Sequence, residues 1–255
     1  MTDALSSSSG PAGVWARLWR AAPDLHKDRA ELDREQRGPR WRRFAAYLVM
    51  RHTAIAGLNT VELGAGRGDL SVLLARAGAR VTLVDYCDAA LERARERFSR
   101  LGLNAEFVRA DLLTDVANLA GRFDAAVSVG VVEHFRGRER TRAITAHARV
   151  LRAGGTAMIS VPNAWCLPYR TWKAYLQIRR WWPYGVEIPY TRRELRRRAC
   201  AAGLVPARMF ADGWRRSICA HWGRGIFHRS WSGAQRSSWL DRWGYDLVLI
   251  ADQPR

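Results

Sequence analysis

The strongest constraint on the fold is a rhythm. From residue 59 to residue 163, short β-type runs alternate with amphipathic segments of helical spacing. "NTVEL" reads as a strand and "DLSVLLARAG" as a helix ending at Gly78. "ARVTLVD" is a strand, and "CDAALERARERFSRLG" a helix ending at Gly102. "NAEFVRAD" and "FDAAVSVGVV" are two further strands. "ERTRAITAHARVLRAGG" is a helix with a glycine stop, and "TAMISVPN" a fifth strand. "TRRELRRRACAAG" is another helix, with Thr191 as its N-cap and Glu194 completing a capping box. "LVPARMF" and "YDLVLIAD" bring the strands to seven. Strands that alternate with helices must pair mostly in parallel, because a crossover helix returns the chain to the same end of the sheet. The expected fold is therefore an α/β, doubly wound, mostly parallel seven-stranded sheet with helices on both faces.

The chain divides accordingly. Residues 1–13 read as a disordered tail, 14–57 as N-terminal helices, and 58–255 as the α/β domain. Two pieces break the rhythm, at about 163–190 and 211–242, and are expected to form helical caps. The tail lacks a basic segment followed by an apolar run, so it does not read as a signal peptide. No window approaches the roughly 18 apolar residues of a membrane span. Cys87, Cys166, Cys200 and Cys219 show no metal-finger spacing and suit a reduced, cytoplasmic chain.

Chemistry first becomes visible in "VELGAGRGD", residues 61–69. A strand ends, a glycine-rich turn follows and a helix begins. Gly64, Gly66 and Gly68 let the backbone turn tightly and approach a ligand. The dinucleotide fingerprint needs a further glycine where Asp69 stands, which argues against NAD. Asp85 ends the next strand, where an acid can accept both hydroxyls of a ribose. Asp111 ends the third.

These pieces, with "VTLVDYCDAALERA", "RADL", "FDAAVSVGVVEHF" and "VLRAGGTAMISVPN", resemble the class I S-adenosylmethionine-dependent methyltransferases. The resemblance is close over about 58–163 and loose over 185–252. It implies a Rossmann-like fold and S-adenosylmethionine as cofactor. It also implies that Gly64, Ala65, Gly66 and Gly68 wrap the methionyl part, and that Glu62 holds its amino group. Asp85 and Tyr86 would meet the ribose. Asp111 and Leu112 would meet the adenine, with Val129 also on the cofactor wall.

Methyl transfer from a sulfonium is an in-line displacement, so alignment supplies much of the rate. An oxygen acceptor also gains from a base. "GVVEHF" places Glu133 and His134 just past the fourth strand, and His134, with an ordinary pKa near neutrality, is the expected base. The sequence also resembles the ubiquinone-pathway O-methyltransferase branch, where a Glu-x-x-Glu-His segment has been linked to a metal. The first Glu position here is Gly130, so no metal is expected.

Net charge is +18, and residues 135–255 carry 23 Lys/Arg against 7 Asp/Glu. Nine of the twelve tryptophans lie at or after Trp165. The stretch "RTWKAYLQIRRWWPYG" concentrates both. If it is one helix, Trp172, Tyr175, Leu176, Arg179 and Trp182 share a face. It is expected to cap an acceptor that is partly apolar and anionic, either a small molecule or lipid-linked. Asn163, Trp172, Arg179, Trp182 and Tyr190 are the expected acceptor contacts, with Glu187 beside them by position. A Trp/Arg helix also suits peripheral contact with a membrane. A nucleic-acid methyltransferase is the less favoured alternative, because the fourth strand is followed by neither the Asn/Asp-Pro-Pro-Tyr nor the Pro-Cys segment of base methylation. A cofactor-binding partner without catalysis is the third.

Overall fold

The structure, a computed structural model, describes residues 11–20, 25–218 and 239–255. Its centre is strand β1 (Asn59–Leu63), flanked in parallel by β2 (Arg80–Asp85) and β4 (Phe123–Val129). The sheet continues through β3 (Glu106–Arg109) on one side and β5 (Leu151–Pro162) on the other. β7 (Asp246–Asp252) inserts antiparallel between β5 and the edge strand β6 (Val205–Asp212). The order β3-β2-β1-β4-β5-β7-β6 is a seven-stranded, mostly parallel sheet, as the alternation predicts. The order in which strands are added reverses between β1 and β4. In open α/β sheets the crevice beyond the strand ends at such a switch point holds the ligand.

Helices α1 (Pro11–Arg20), α2 (Leu25–Arg37) and α3 (Pro39–His52) precede the sheet. Helices α4 (Asp69–Arg76), α5 (Asp88–Arg100) and α6 (Glu139–Val150) are its crossovers. Two buried clusters form the core, one on each face. One is built around Leu63, Ala126, Ile144 and Leu249, the other around Phe44, Leu74, Leu83 and Met158. After β5 come α7 (Leu167–Ile178), α8 (Arg192–Ala201) and, beyond β6, α9 (Trp214–Ile218).

Several boundaries differ from the sequence reading. Residues 1–10 of the expected tail lie outside the described residues, but 11–13 are helical. Pro11 begins α1, where its missing N–H and fixed φ suit a first turn. The strand predicted through Val132 stops at Val129, because Gly130 takes φ 70° and a 3₁₀ turn follows at Val132–His134. The helix predicted to run to the Arg152–Gly155 turn stops at Val150, since Leu151 is already paired with Phe123. Thr191 does cap α8, accepting from the Glu194 N–H at 3.1 Å. The Glu194 carboxylate instead takes hydrogen bonds from Arg140 and Arg198. Of the second expected cap, 219–238 lies outside the described residues, as do Cys219, His221 and His228.

Candidate active site

The loop after β1 opens onto a cavity of about 670 Å³. Glu62, Gly64, Ala65, Gly66, Asp85, Tyr86, Asp111, Leu112 and Val129 all line it. Nine of the ten expected cofactor residues are thus gathered by four strand ends. Asp85 is buried, and its Oδ2 and Oδ1 accept from the N–H groups of Gly66 and Cys87, both at 2.9 Å. A carboxylate oxygen has two lone pairs, so ribose hydroxyls can still donate to it. Burial raises the Asp85 pKa against those two bonds. Glu62 is pushed up to about 7 by burial, although its Oε2 accepts from the Ser71 N–H at 2.9 Å and Oγ at 2.7 Å. A bound ammonium would pull that carboxyl back to its charged form.

Gly68 is the exception. It lies off the cavity wall, at the N-cap of α4 with φ 70°. A Cβ there would sit 2.4 Å from Leu83 Cδ2 and 3.3 Å from the Phe98 ring. Its role is close packing of α4 on β2, not ligand contact. At Gly66 a Cβ would instead meet the Trp19 ring at 2.7 Å. Trp15 and Trp19 of α1, together with Arg40 of α3, complete the cavity wall. Sequence reasoning missed all three. The spacing of the two tryptophans, four apart in "VWARLWR", was the available signal. Arg40 gave none. It is buried among Glu35, Ser160 and Asp246, to which its guanidinium donates.

A second cavity of about 520 Å³ adjoins the first and shares Trp15, Gly130 and His134 with it. Its walls are aromatic, including Tyr169, Trp172, Trp181, Trp182 and Tyr184, with Glu133 and Glu187 among them. His134 stands at the junction. Its Nδ1 lies 2.6 Å from the Val186 carbonyl, which can only accept, so Nδ1 carries the proton. Nε2 is then the basic nitrogen, 3.9 Å from Glu133 Oε1. Burial lowers the His134 pKa from its ordinary value, and the Val186 bond opposes this. Trp15 packs edge-on against the imidazole at 4.9 Å between ring centres. Glu133 is buried, and burial pushes its carboxyl up to about 8, so it is mostly protonated at neutral pH.

The expected acceptor contacts divide. Trp172 and Trp182 line the second cavity; Asn163, Arg179 and Tyr190 line neither cavity. Asn163 is buried, and its amide donates to the Arg242 and Gly244 carbonyls while Oδ1 accepts from the Trp165 N–H. It fastens the end of β5 to the segment before β7. Tyr190 is fully buried, donates to the Val132 carbonyl, and has the Arg140 guanidinium 3.6 Å above its ring. The single long helix expected through Trp182 ends at Ile178, and Arg180 takes φ 56°. Arg179 is the C-cap, still bonded through its N–H to the Tyr175 carbonyl, and its guanidinium stacks on Trp181 at 4.4 Å, while Trp182, beyond the turn at Arg180, leaves the helical path. Of the surrounding cations, neither Arg170, Lys173 nor Arg180 is on the cavity wall.

One grouping was not foreseen. Glu187 joins Glu133 and His134, with one ligand-capable atom from each within 4.8 Å of the others. The donor set does not fit a divalent cation. Glu187 Oε1 already accepts from the Tyr169 hydroxyl, and the Lys173 ammonium lies 3.5 Å from the same oxygen.

Comparison with known proteins agrees with this geometry. Residues 61–155 match the family model described as a methyltransferase domain. The chain is 32% identical over 128 residues to the ubiquinone biosynthesis O-methyltransferase of Aromatoleum aromaticum, covering 50% of this chain and 51% of that one. It thus spans about half the length of the curated relatives it matches. Among solved structures, magnesium protoporphyrin IX methyltransferase from Synechocystis with bound SAH superposes with TM-score 0.59 at 19% identity, over 94% of this chain and 93% of that one. The [4+2]-cyclase SpnF superposes at TM-score 0.56 and 19% identity, over 83% and 80% of the two chains. Fold, loop and match define the class: the chain carries a class I S-adenosylmethionine-dependent methyltransferase domain. The first cavity is the one lined by the residues expected to hold the cofactor. Because a cyclase shares the fold, the reaction must be argued from the second cavity.

Proposed function

We propose that the protein methylates a hydroxyl of a flat, largely apolar small molecule, with His134 as general base. The observation that carries this reading is the His134 imidazole at the junction of the two cavities, its Nδ1–H held by Val186 and its Nε2 left basic. An acceptor hydroxyl beside Nε2 gives up its proton as the oxygen attacks the methyl carbon. S-adenosylmethionine, held by Glu62, Asp85 and Asp111, would supply the methyl group and depart as a neutral thioether, and the proton would remain on the His134 imidazole until solvent takes it. Glu133, mostly neutral at pH 7, can donate a hydrogen bond to the same oxygen. Glu62, Asp85 and Asp111 would orient the cofactor.

Aromatic walls favour a planar acceptor. No Lys or Arg is among the described residues that line this cavity, so the wall itself offers no cation to the anionic acceptor that the basic composition led us to expect. The cations serve a different surface. Outside the cavity, Leu167, Ile178 and Trp165 are 66%, 82% and 62% exposed, near Arg170, Arg179 and Arg180. Apolar side chains amid arginines suit docking on an anionic membrane, from which a lipid-linked acceptor can be drawn. No helix among the described residues is long and apolar enough to cross a membrane.

The test is transfer of labelled methyl from S-adenosylmethionine into fractionated extracts. Label in lipid or small molecules, lost with His134→Ala, is expected. Label in RNA or DNA would overturn the reading, as would label unaffected by His134→Ala. Cofactor binding without transfer to any fraction would favour a non-catalytic partner.

A further inference from the structure

The cluster of Glu133, His134 and Glu187 already has a cation, and it belongs to the chain. Lys173, on α7, is buried under the cap. Its Nζ donates to the Glu187 backbone carbonyl, lies 3.3 Å from the Tyr169 hydroxyl and 3.5 Å from Glu187 Oε1. It sits 4.7 Å above the Trp182 ring. Tyr169 also donates to Glu187 Oε1. Two charge-assisted bonds and a cation–π contact hold one ammonium in one place.

The segment it grips is the one that sets the base. Val186, Glu187 and Ile188 run between the cap and the 3₁₀ turn that carries His134. The Val186 carbonyl accepts from His134 Nδ1, and the Ile188 N–H donates to the Glu133 carbonyl. The Ile188 carbonyl accepts from Arg140, and the Glu187 carbonyl from Lys173. Three successive residues are therefore fastened from both sides, and on the side of the cap helix it is the Lys173 ammonium and the Tyr169 hydroxyl that hold Glu187.

We propose that Lys173 is the resident cation of the acceptor site: a positioning residue that holds Glu187, fixes the segment that orients His134, and leaves no place for a divalent ion. A dication bound by Glu133, His134 and Glu187 would share Glu187 with a fixed ammonium and repel it. The charge that another scaffold would draw from a metal is supplied here by a side chain. The catalytic consequence rests on His134 acting as base. The ion exclusion does not, and it can be read without an acceptor.

The experiment is titration of the full chain with Mn²⁺, read by electron paramagnetic resonance, with S-adenosylmethionine calorimetry as the check on folding. Wild type and Lys173→Arg should show no stoichiometric Mn²⁺ binding. Lys173→Met keeps the length of the side chain and removes the charge. It should gain one Mn²⁺ at least tenfold more tightly than any wild-type binding, and Lys173→Met/Glu187→Gln should lose it. One Mn²⁺ on wild type that disappears with Glu187→Gln would overturn the proposal. So would a Lys173→Met protein that binds cofactor normally and takes up no Mn²⁺. If Lys173→Met does not fold, wild type titrated beside Glu187→Gln still decides: no difference supports the built-in cation, and a lost site refutes it. Failure of the methyl-transfer reading would leave each of these results readable.

Discussion

Gly66 and Gly68 stand two residues apart, share positive φ of 53° and 70°, and are assigned different work by the structure. Replacing either with alanine imposes a similar backbone penalty of roughly 1–2 kcal/mol for a left-handed residue. What the new methyl meets then separates them. At Gly68 it meets Leu83 Cδ2 at 2.4 Å, with Phe98 at 3.3 Å behind, and both are fully buried core side chains. Overpacking of that kind adds about 1–3 kcal/mol. Gly68→Ala is expected to lose about 3–4 kcal/mol, which for a chain of this size is roughly 10 °C of melting temperature. At Gly66 the methyl meets Trp19, a ring on α1 that is not fully buried and can move with its helix. Gly66→Ala should lose only the backbone share of about 1–2 kcal/mol, roughly 5 °C. Its cofactor affinity should fall at least tenfold, because Gly66 lines the cavity. Apo-protein calorimetry and S-adenosylmethionine titration together read both quantities. A Gly68→Ala protein that melts within 2 °C of the parent, or a Gly66→Ala protein with unchanged affinity, would refute the division of roles.

Other consequences follow from charge and exposure. His134→Gln should lower kcat by about 10²–10⁴ and leave cofactor affinity within threefold, measured by single-turnover transfer and calorimetry. Only deprotonated His134 accepts a proton, so the rate should rise with pH through its pKa. Since burial lowers that pKa, the acid limb of kcat/KM should have its midpoint below 6.5 and be flat from pH 7. Glu62 titrates near 7, so about half of it is protonated at that pH. The cofactor's ammonium should ionise it and release up to about half a proton, seen as a buffer-dependent binding enthalpy. Ile178→Asp with Leu167→Asp should abolish sedimentation with anionic vesicles and leave cofactor binding unchanged.

The sequence by itself determined the sheet and which loop and strand-end residues line the first cavity. Alternating strand and helix periods are local, and a glycine turn between them acts through its own backbone. The acids at strand ends are legible for the same reason: once the strands are parallel and ordered, their ends converge. The ends of β4 and α6 were less legible, because Gly130 and Leu151 respond to what they turn toward or pair with.

Tertiary structure decided the rest. Asn163 and Tyr190 follow the fifth strand closely, as acceptor contacts should, yet packing turned both into buried fasteners. Gly68 looks like its two neighbours in the loop and is set apart only by Leu83 and Phe98. Arg179 keeps its helical geometry but lines neither cavity, because Trp181, just past the helix end, takes its guanidinium. Trp15, Arg40 and Glu187 reach the two cavities from segments far apart in the chain, and Lys173 meets Glu187 off the cavity wall. A side chain's partners across such distances depend on how the layers stack, and no local pattern encodes that. The wall of the first cavity was written in spacing, and the second cavity, with Lys173 against Glu187, arose only when the cap met the sheet.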